Sequence, residues 1–263
     1  MENMINPIRN RGRMFNYLLL VGVIIAIWSL VTRAELVSPI ILPTPTETIF
    51  VGITEWQMYY EALRVTVYEI LVSLLLAWSL GILIGILIGS STYLSHAFRP
   101  IFASLFAVPL ILLYPIFLAW VGIGPASKVL FGTVYGAFPI ILHTITGVST
   151  VESKYELVGR SMGASSLQIR AKILIPLAIP SILSGLRIGT AIVIAGVVFA
   201  EMIASTKGLG FVIRSNQTAF NTPEVYFSVL LVVLMVIIVN ALLTHIEQRV
   251  SWTDDSENVW AAP

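Results

Sequence analysis

Few residues in this chain could do covalent chemistry. It has three histidines, His96, His143 and His245, and no cysteine. Without cysteine there is no thiol nucleophile, no disulfide and no Cys-ligated metal. The histidines are scattered, with no metal-ligand spacing and no H-E-x-x-H pair, so a polar packing role fits each better than catalysis. Ser184, in "LSG", has no evident base beside it to raise a nucleophile. No Gly-rich phosphate loop ending in Lys-Ser/Thr exists, so the chain cannot hydrolyse ATP by that route. The reading is therefore of a non-enzyme, with no catalytic residue, no metal site and no cofactor of its own. Two carboxylates stand out because they interrupt apolar sequence. Glu201 closes an uncharged run in "FAEM", and Glu69 sits just inside another. A charged group in a bilayer core costs about 2.5–3.5 kcal/mol or more, so such acids face a cavity, a partner or water. Glu201 either lines a pathway or is hydrated at the outer interface, and the short run before it favours the interface. Glu69 either pairs with Arg64 or stays hydrated.

The elements that must position these groups are membrane helices. Hydrophobic residues make up 57% of the 263-residue chain and charged residues 11%, with mean hydropathy +0.92. A soluble domain carries about a quarter charged residues. Apolar runs of about 20 residues fit helical crossings, whereas a barrel would show alternating segments of about 10. The net charge of +1 gives no reason to expect a nucleic-acid partner. The fold class is all-α integral membrane, with about six spans: Phe15–Val31, about Val65–Ser90, and the intervals Arg99–Lys128, Lys128–Glu152, Arg187–Glu201 (short) and Glu224–Glu247. No clean small-x-small cleavage site follows the first run, so it is expected to be retained. With the N-terminus inside, ten Lys/Arg fall in cytoplasmic segments and five in outer ones, which favours both termini in the cytoplasm. The domains expected are a cytoplasmic N-terminus at 1–14, a transmembrane body at 15–250 and a cytoplasmic tail at 251–263. Trp252 reads as an inner-interface anchor.

The connections differ in character. "SPIILPTPTETI", Ser38–Ile49, is proline-rich and expected to be extended, leading into an outer helix. Residues 205–224 are too long for a tight turn and too apolar for a free loop, which predicts a re-entrant or surface-lying outer element. Within it "GLG", 208–210, predicts a sharp turn. Pro100, Pro109 and Pro115 punctuate the third span. Internal prolines remove backbone hydrogen bonds and bend helices. Either a broken helix lines a pathway near Pro109 and Tyr114, or an ordinary kink improves packing. His143, inside the fourth span, could face the interior. Gly81, Gly85 and Gly89 form a small-xxx-small ridge for close helix contact, within the chain or across a dimer axis.

The segment from about 149 to 187 is the most informative. "SKYE" fits a capping box, with Ser153 as N-cap and Glu156 three residues on, for a helix running to Met162. Gly163 stands where a left-handed C-cap wants glycine. Ser165 and Gln168 fit a second box, for a helix that runs toward Ile175 and stops by Pro176. Tyr155, Val158 and Met162 share one face of the first helix, and Leu167, Ala171 and Leu174 one face of the second. Helices of roughly nine residues reach only about 14 Å and cannot span. The pair can lie at the cytoplasmic surface with polar and basic groups outward, or be an interfacial amphipathic loop with no partner.

This segment resembles the EAA loop of permease subunits in binding-protein-dependent ATP-binding cassette importers. That motif reads E-A-A, three residues, Gly, nine residues, then I-x-L-P. Gly163 is followed at the right spacing by Ile173, Ile175 and Pro176. The E-A-A positions align with Leu157, Val158 and Gly159, while Glu156 lies one residue early. "ILPTPTETI", "GILIGILIGSS", "FLAWVGIGPASKVL", "FPIILHTITGV" and "VVFAEMIASTKGLGFVI" are similar to the permeases for nitrate, taurine and alkanesulfonates. The resemblance implies a type I importer permease fold in a bacterial inner membrane, with cytoplasmic coupling helices. It further implies a second permease copy, in a homodimer, two ATPase subunits that bind ATP and Mg, and a soluble substrate-binding protein. Coupling would fall to Leu157, Val158, Gly159, Ser161, Met162, Gly163, Ala164, Ser165, Ile173 and Pro176. Pro109, Tyr114, His143 and Glu201 are the candidates for the pathway. The cargo it suggests is a small anion, though relatives also carry aromatic acids and heterocyclic vitamin precursors. An ion-coupled carrier is the rival class, but such carriers usually keep midplane acids or ion sites, often in repeated halves, and this sequence has few candidate acids and no visible repeat.

Overall fold

The helix placed between Lys128 and Glu152 lies at the centre of the packing, because glycines on it and on its neighbours let backbones approach. In the computed structural model, which describes residues 7–151 and 153–250, the regular structure is helical. The elements are α1 (Pro7–Arg33), α2 (Pro45–Thr54), α3 (Trp56–Gly89), α4 (Thr92–Ala107), α5 (Tyr114–Val121), α6 (Pro125–Ser149), α7 (Ser153–Ser161), α8 (Ser166–Ile169), α9 (Ile175–Ile203), α10 (Leu209–Thr218) and α11 (Thr222–Val250). Among the described residues four helical runs are long and apolar enough to cross a membrane: Trp56–Gly89, Pro125–Ser149, Ser166–Ile203 and Thr222–His245. α4 and Ile111–Val121 meet that test only as a pair, bent by 77°, the geometry of a broken span or a re-entrant loop. The apolar stretch Leu19–Arg33 of α1 is shorter. The tail at 251–263 and Trp252 lie outside the described residues.

The chain divides into two units. The larger holds Glu61–Phe211 and the described residues from Val232 onward. In it α3, α6 and α9 share one core: Ile70, Leu74 and Ala77, then Ala137, Ile140, Ile141 and Ile145, then Val193, Ile194 and Val197. The ridge Gly81, Gly85, Gly89 on α3 lies against Ile140, Thr144 and Val148 on α6, one residue per turn on each side. It is thus used inside the chain. Gly132 and Gly136 of α6 receive Val197 and Val193 of α9, and Gly185 and Gly189 of α9 receive His143 and Ile140 in return. A Cβ at any of these glycines would overlap its neighbour, so the sequence sets the spacing of the three helices.

The other unit holds the described residues up to Tyr60 with Val212–Leu231. The proline-rich stretch is turned and tethered, not extended. Ile41 N–H closes on Ser38 O (2.8 Å), Trp28 Nε1 donates to Pro43 O (2.8 Å), and Thr222 Oγ1 donates to Ile40 O (2.7 Å). It leads into α2 through a capping box of Thr44 and Glu47. Tyr59 and Gly52 pack on Phe227, the two rings 4.6 Å apart.

Two expectations about spans need correction. The fifth is not short. Residues 166–203 form one helical run, and Arg187, used to mark its start, lies within it, with Nη2 donating to Thr244 Oγ1 (3.3 Å). Pro176 does not end the second short helix. A π-turn at Arg170–Leu174 intervenes, and Ile175 N–H bonds Arg170 O. Pro176 then falls in the first turn of α9, where a missing N–H is tolerated. The third span is broken, as its prolines allow. α4 ends at Ala107, and a 3-10 turn at Leu110–Leu113 leads into α5.

Candidate functional site

The predicted elbow is present. α7 ends at Ser161, and Gly163 adopts φ +78. Gly163 N–H bonds Arg160 O (2.9 Å) and Ala164 N–H bonds Gly159 O (3.0 Å), the pair of bonds that defines a Schellman cap. The next residue restarts the chain. Ser165 Oγ accepts from Gln168 N–H, and Gln168 Oε1 accepts from Ser165 N–H at 2.8 Å. The first box differs from expectation, since Ser153 is already inside the helix and Glu156 pairs with Arg160 (2.6 Å) one turn on. Gly159 is buried, and a Cβ there would press on Ile169 and Ile173, so the small residue lets α7 fold back on the π-turn.

The elbow exposes the expected polar and basic groups, Arg160, Gln168, Arg170 and Lys172, and beside them an apolar patch. Leu157, Val158, Met162 and Leu167 are 66%, 57%, 82% and 75% exposed, and Tyr155 is exposed as well. Leu174 is buried with Ile169 and Ala178, anchoring the elbow to the bundle. The result is a fixed bend with an exposed greasy patch and a buried root.

At the opposite end of α6 lies a second constellation, which the sequence reading did not assemble. Glu69 on α3 and Lys128 in the first turn of α6 form an ion pair, both side chains almost wholly buried. Lys128 Nζ also donates to Ser205 Oγ (3.0 Å). Glu201, near the end of α9, is fully buried and accepts from Thr66 Oγ1 and from Gly210 N–H, each at 2.8 Å. Thr66 Oγ1 accepts in turn from Leu209 N–H at 2.8 Å. Glu69 and Glu201 are close enough to interact electrostatically. The Glu201 carboxylate fills the space where Gly208 would carry a Cβ, Val198 O and Glu201 Cβ fill that of Gly210, and Gly208 adopts φ +101. This is why "GLG" follows "FAEM" at that spacing.

Both earlier placements of these acids are therefore corrected. Glu201 is not hydrated at an interface, because its hydrogen bonds come from within the fold. Glu69 pairs with Lys128, while Arg64 meets Glu61 at 3.7 Å. Tyr114 is buried beside Phe131 (ring centroids 5.1 Å), in one apolar cluster with Ala200, the residue before Glu201. Pro109 is exposed at the α4–α5 break, and His143 packs beside Gly185. The missed residues were Thr66, Lys128 and Ser205. The available signal was charge: Glu69, Lys128 and Glu201 fall toward the same end of three apolar helices, α3, α6 and α9.

Apolar helices on a glycine-set core, with a capped elbow between two of them, form a multi-pass membrane bundle. The family model for "Binding-protein-dependent transport system inner membrane component" matches residues 81–252, and the chain belongs to that family, the permease subunits of ABC importers. The taurine transport system permease protein TauC of Escherichia coli is 29% identical over 88% of this chain and 86% of its own length. The nitrate import permease protein NrtB of Leptolyngbya laminosa is 32% identical over 74% of this chain and 68% of its own. The solved inward-facing MetNI methionine ABC transporter has the same fold, with a TM-score of 0.65 at 20% identity, covering 74% of this chain and 97% of that one.

Proposed function

We propose that this inner-membrane permease forms a homodimer whose elbows seat in two partner ATPase subunits, which bind ATP and Mg. The Schellman-capped elbow carries this reading. It holds Leu157, Val158 and Met162 exposed on a bend whose root, Leu174, is buried in the bundle. An exposed apolar patch on a rigid mount fits a protein groove. Leu157 to Ser165 would make the contact, while Ile173 and Pro176 carry the displacement into α9. A bundle with two discrete arrangements would then alternate between inward-open and outward-open as the ATPases close and release. The elbow and both termini lie in the cytoplasm, and a soluble binding protein delivers cargo at the other face. A small anion of the nitrate, taurine or sulfonate kind is the cargo that the relatives' names support.

The test is uptake into proteoliposomes. Transport should require the partner ATPase, the binding protein and ATP, and should be indifferent to imposed ion gradients. Uptake by this chain alone under a proton or sodium gradient would overturn the reading.

A further inference from the structure

A cavity of about 480 Å³ opens beside the buried ion pair, at the end of α6 away from the elbow. Three cationic side chains line it, Arg64, Lys128 and Lys207, against one carboxylate, Glu69. Glu69 is already committed to Lys128. Arg64 is two-thirds exposed and held only loosely, by Glu61 at 3.7 Å. A pair of that kind in water contributes little and leaves the guanidinium available. Lys207 is better placed than a loop lysine usually is. Ser205 Oγ donates to Lys207 O (2.7 Å) and accepts from Lys207 N–H (3.3 Å), while also accepting from Lys128 Nζ. One hydroxyl therefore fixes the turn that carries Lys207 and contacts the ammonium of Lys128. Tyr68 and Ile123, 63% and 75% exposed, supply apolar surface in the same cavity.

We infer that this cavity is a receiving site for a small organic anion with a compact charged head and a short apolar tail. The head would sit between Arg64 and Lys207, since Lys128 is already neutralised by its pair with Glu69. The tail would lie on Tyr68 and Ile123. The volume is within the range of about 300–1,000 Å³ usual for small-ligand pockets. The inference rests on the importer reading for its direction, since the cavity faces the outside only if the elbow faces the cytoplasm. Binding itself needs neither ATPase nor binding protein.

The experiment is calorimetric titration of the full chain in lipid nanodiscs with 1-butanesulfonate, and with butyl methyl sulfone as the neutral counterpart. Saturable binding of the sulfonate alone is expected. Arg64→Gln combined with Lys207→Gln should weaken it by about tenfold or more, as loss of charge-assisted contacts implies. Lys207→Glu should abolish it. Both positions are exposed, so an unchanged melting temperature separates lost binding from lost fold. Equal binding of the sulfone, undiminished binding by the double variant, or no sulfonate binding by the wild type would each overturn the site. Sulfonate binding in a chain that transports without ATP would leave the site standing and overturn the importer reading. ATP-coupled uptake without that binding would do the reverse.

Discussion

Substitution of Gly163 isolates the backbone at the elbow, because a Cβ there would meet nothing within 4 Å. No neighbour has to move, so the cost of a side chain is the cost of φ +78 alone. Left-handed backbone costs an L-residue roughly 1–2 kcal/mol, asparagine least and β-branched residues most. Gly163→Asn should therefore behave nearly as the wild type, Gly163→Ala should lose about 1 kcal/mol and Gly163→Val about 2 kcal/mol. The chain can escape the strain by giving up the two cap bonds, which frees α7 from its fixed angle. At 1.4 kcal/mol per tenfold, about 2 kcal/mol shifts the population of bent elbow by roughly thirtyfold. In proteoliposomes with the partner ATPase, the ATP hydrolysed per cargo imported should rise in the order Asn, Ala, Val, while membrane insertion stays constant. Identical ratios for the three variants and the wild type would refute the argument, since the strain would then be irrelevant to coupling.

Other consequences can be read by thermal unfolding in detergent. Lys128→Met leaves Glu69 buried without a partner and should cost about 3–5 kcal/mol, much of it regained in Lys128→Met combined with Glu69→Leu. An additive double variant would refute the pairing. Thr66→Val removes the donor to Glu201 and the acceptor for Leu209 N–H, for a loss of about 1–3 kcal/mol, whereas Thr66→Ser should retain both bonds. Gly85→Leu forces α3 off Thr144 and should lower stability by about 1–3 kcal/mol or more. Gly22→Leu, with open space around it, should be neutral and serves as the control.

The elbow was legible in sequence because its determinants are local. A glycine at the left-handed position and a Ser-x-x-Gln box lie within six residues of each other, and both recur in the structure as written. What the sequence did not disclose is set by distant partners. Thr66 and Glu201 are 135 positions apart, and neither residue's neighbours reveal the other. Arg187 and Pro176 misled the reading of α9 because each was taken as a boundary. A long side chain can reach Thr244 without ending a helix, and a π-turn ahead of Pro176 absorbs the lost donor. The ridge Gly81, Gly85, Gly89 announced close packing, but only the fold could show that its partner was α6.

The helical run from Ser166 to Ile203, through its π-turn, joins the bent knuckle to the buried acid of Glu201. At 1.5 Å per residue that run is roughly 57 Å long, and a tilt of about 6° about the contacts at Gly185 and Gly189 moves the Glu201 end by about 2 Å. On the proposed coupling, a displacement of the elbow would reach Glu201 and the loop it holds as a tilt of α9 about its glycine contacts with α6.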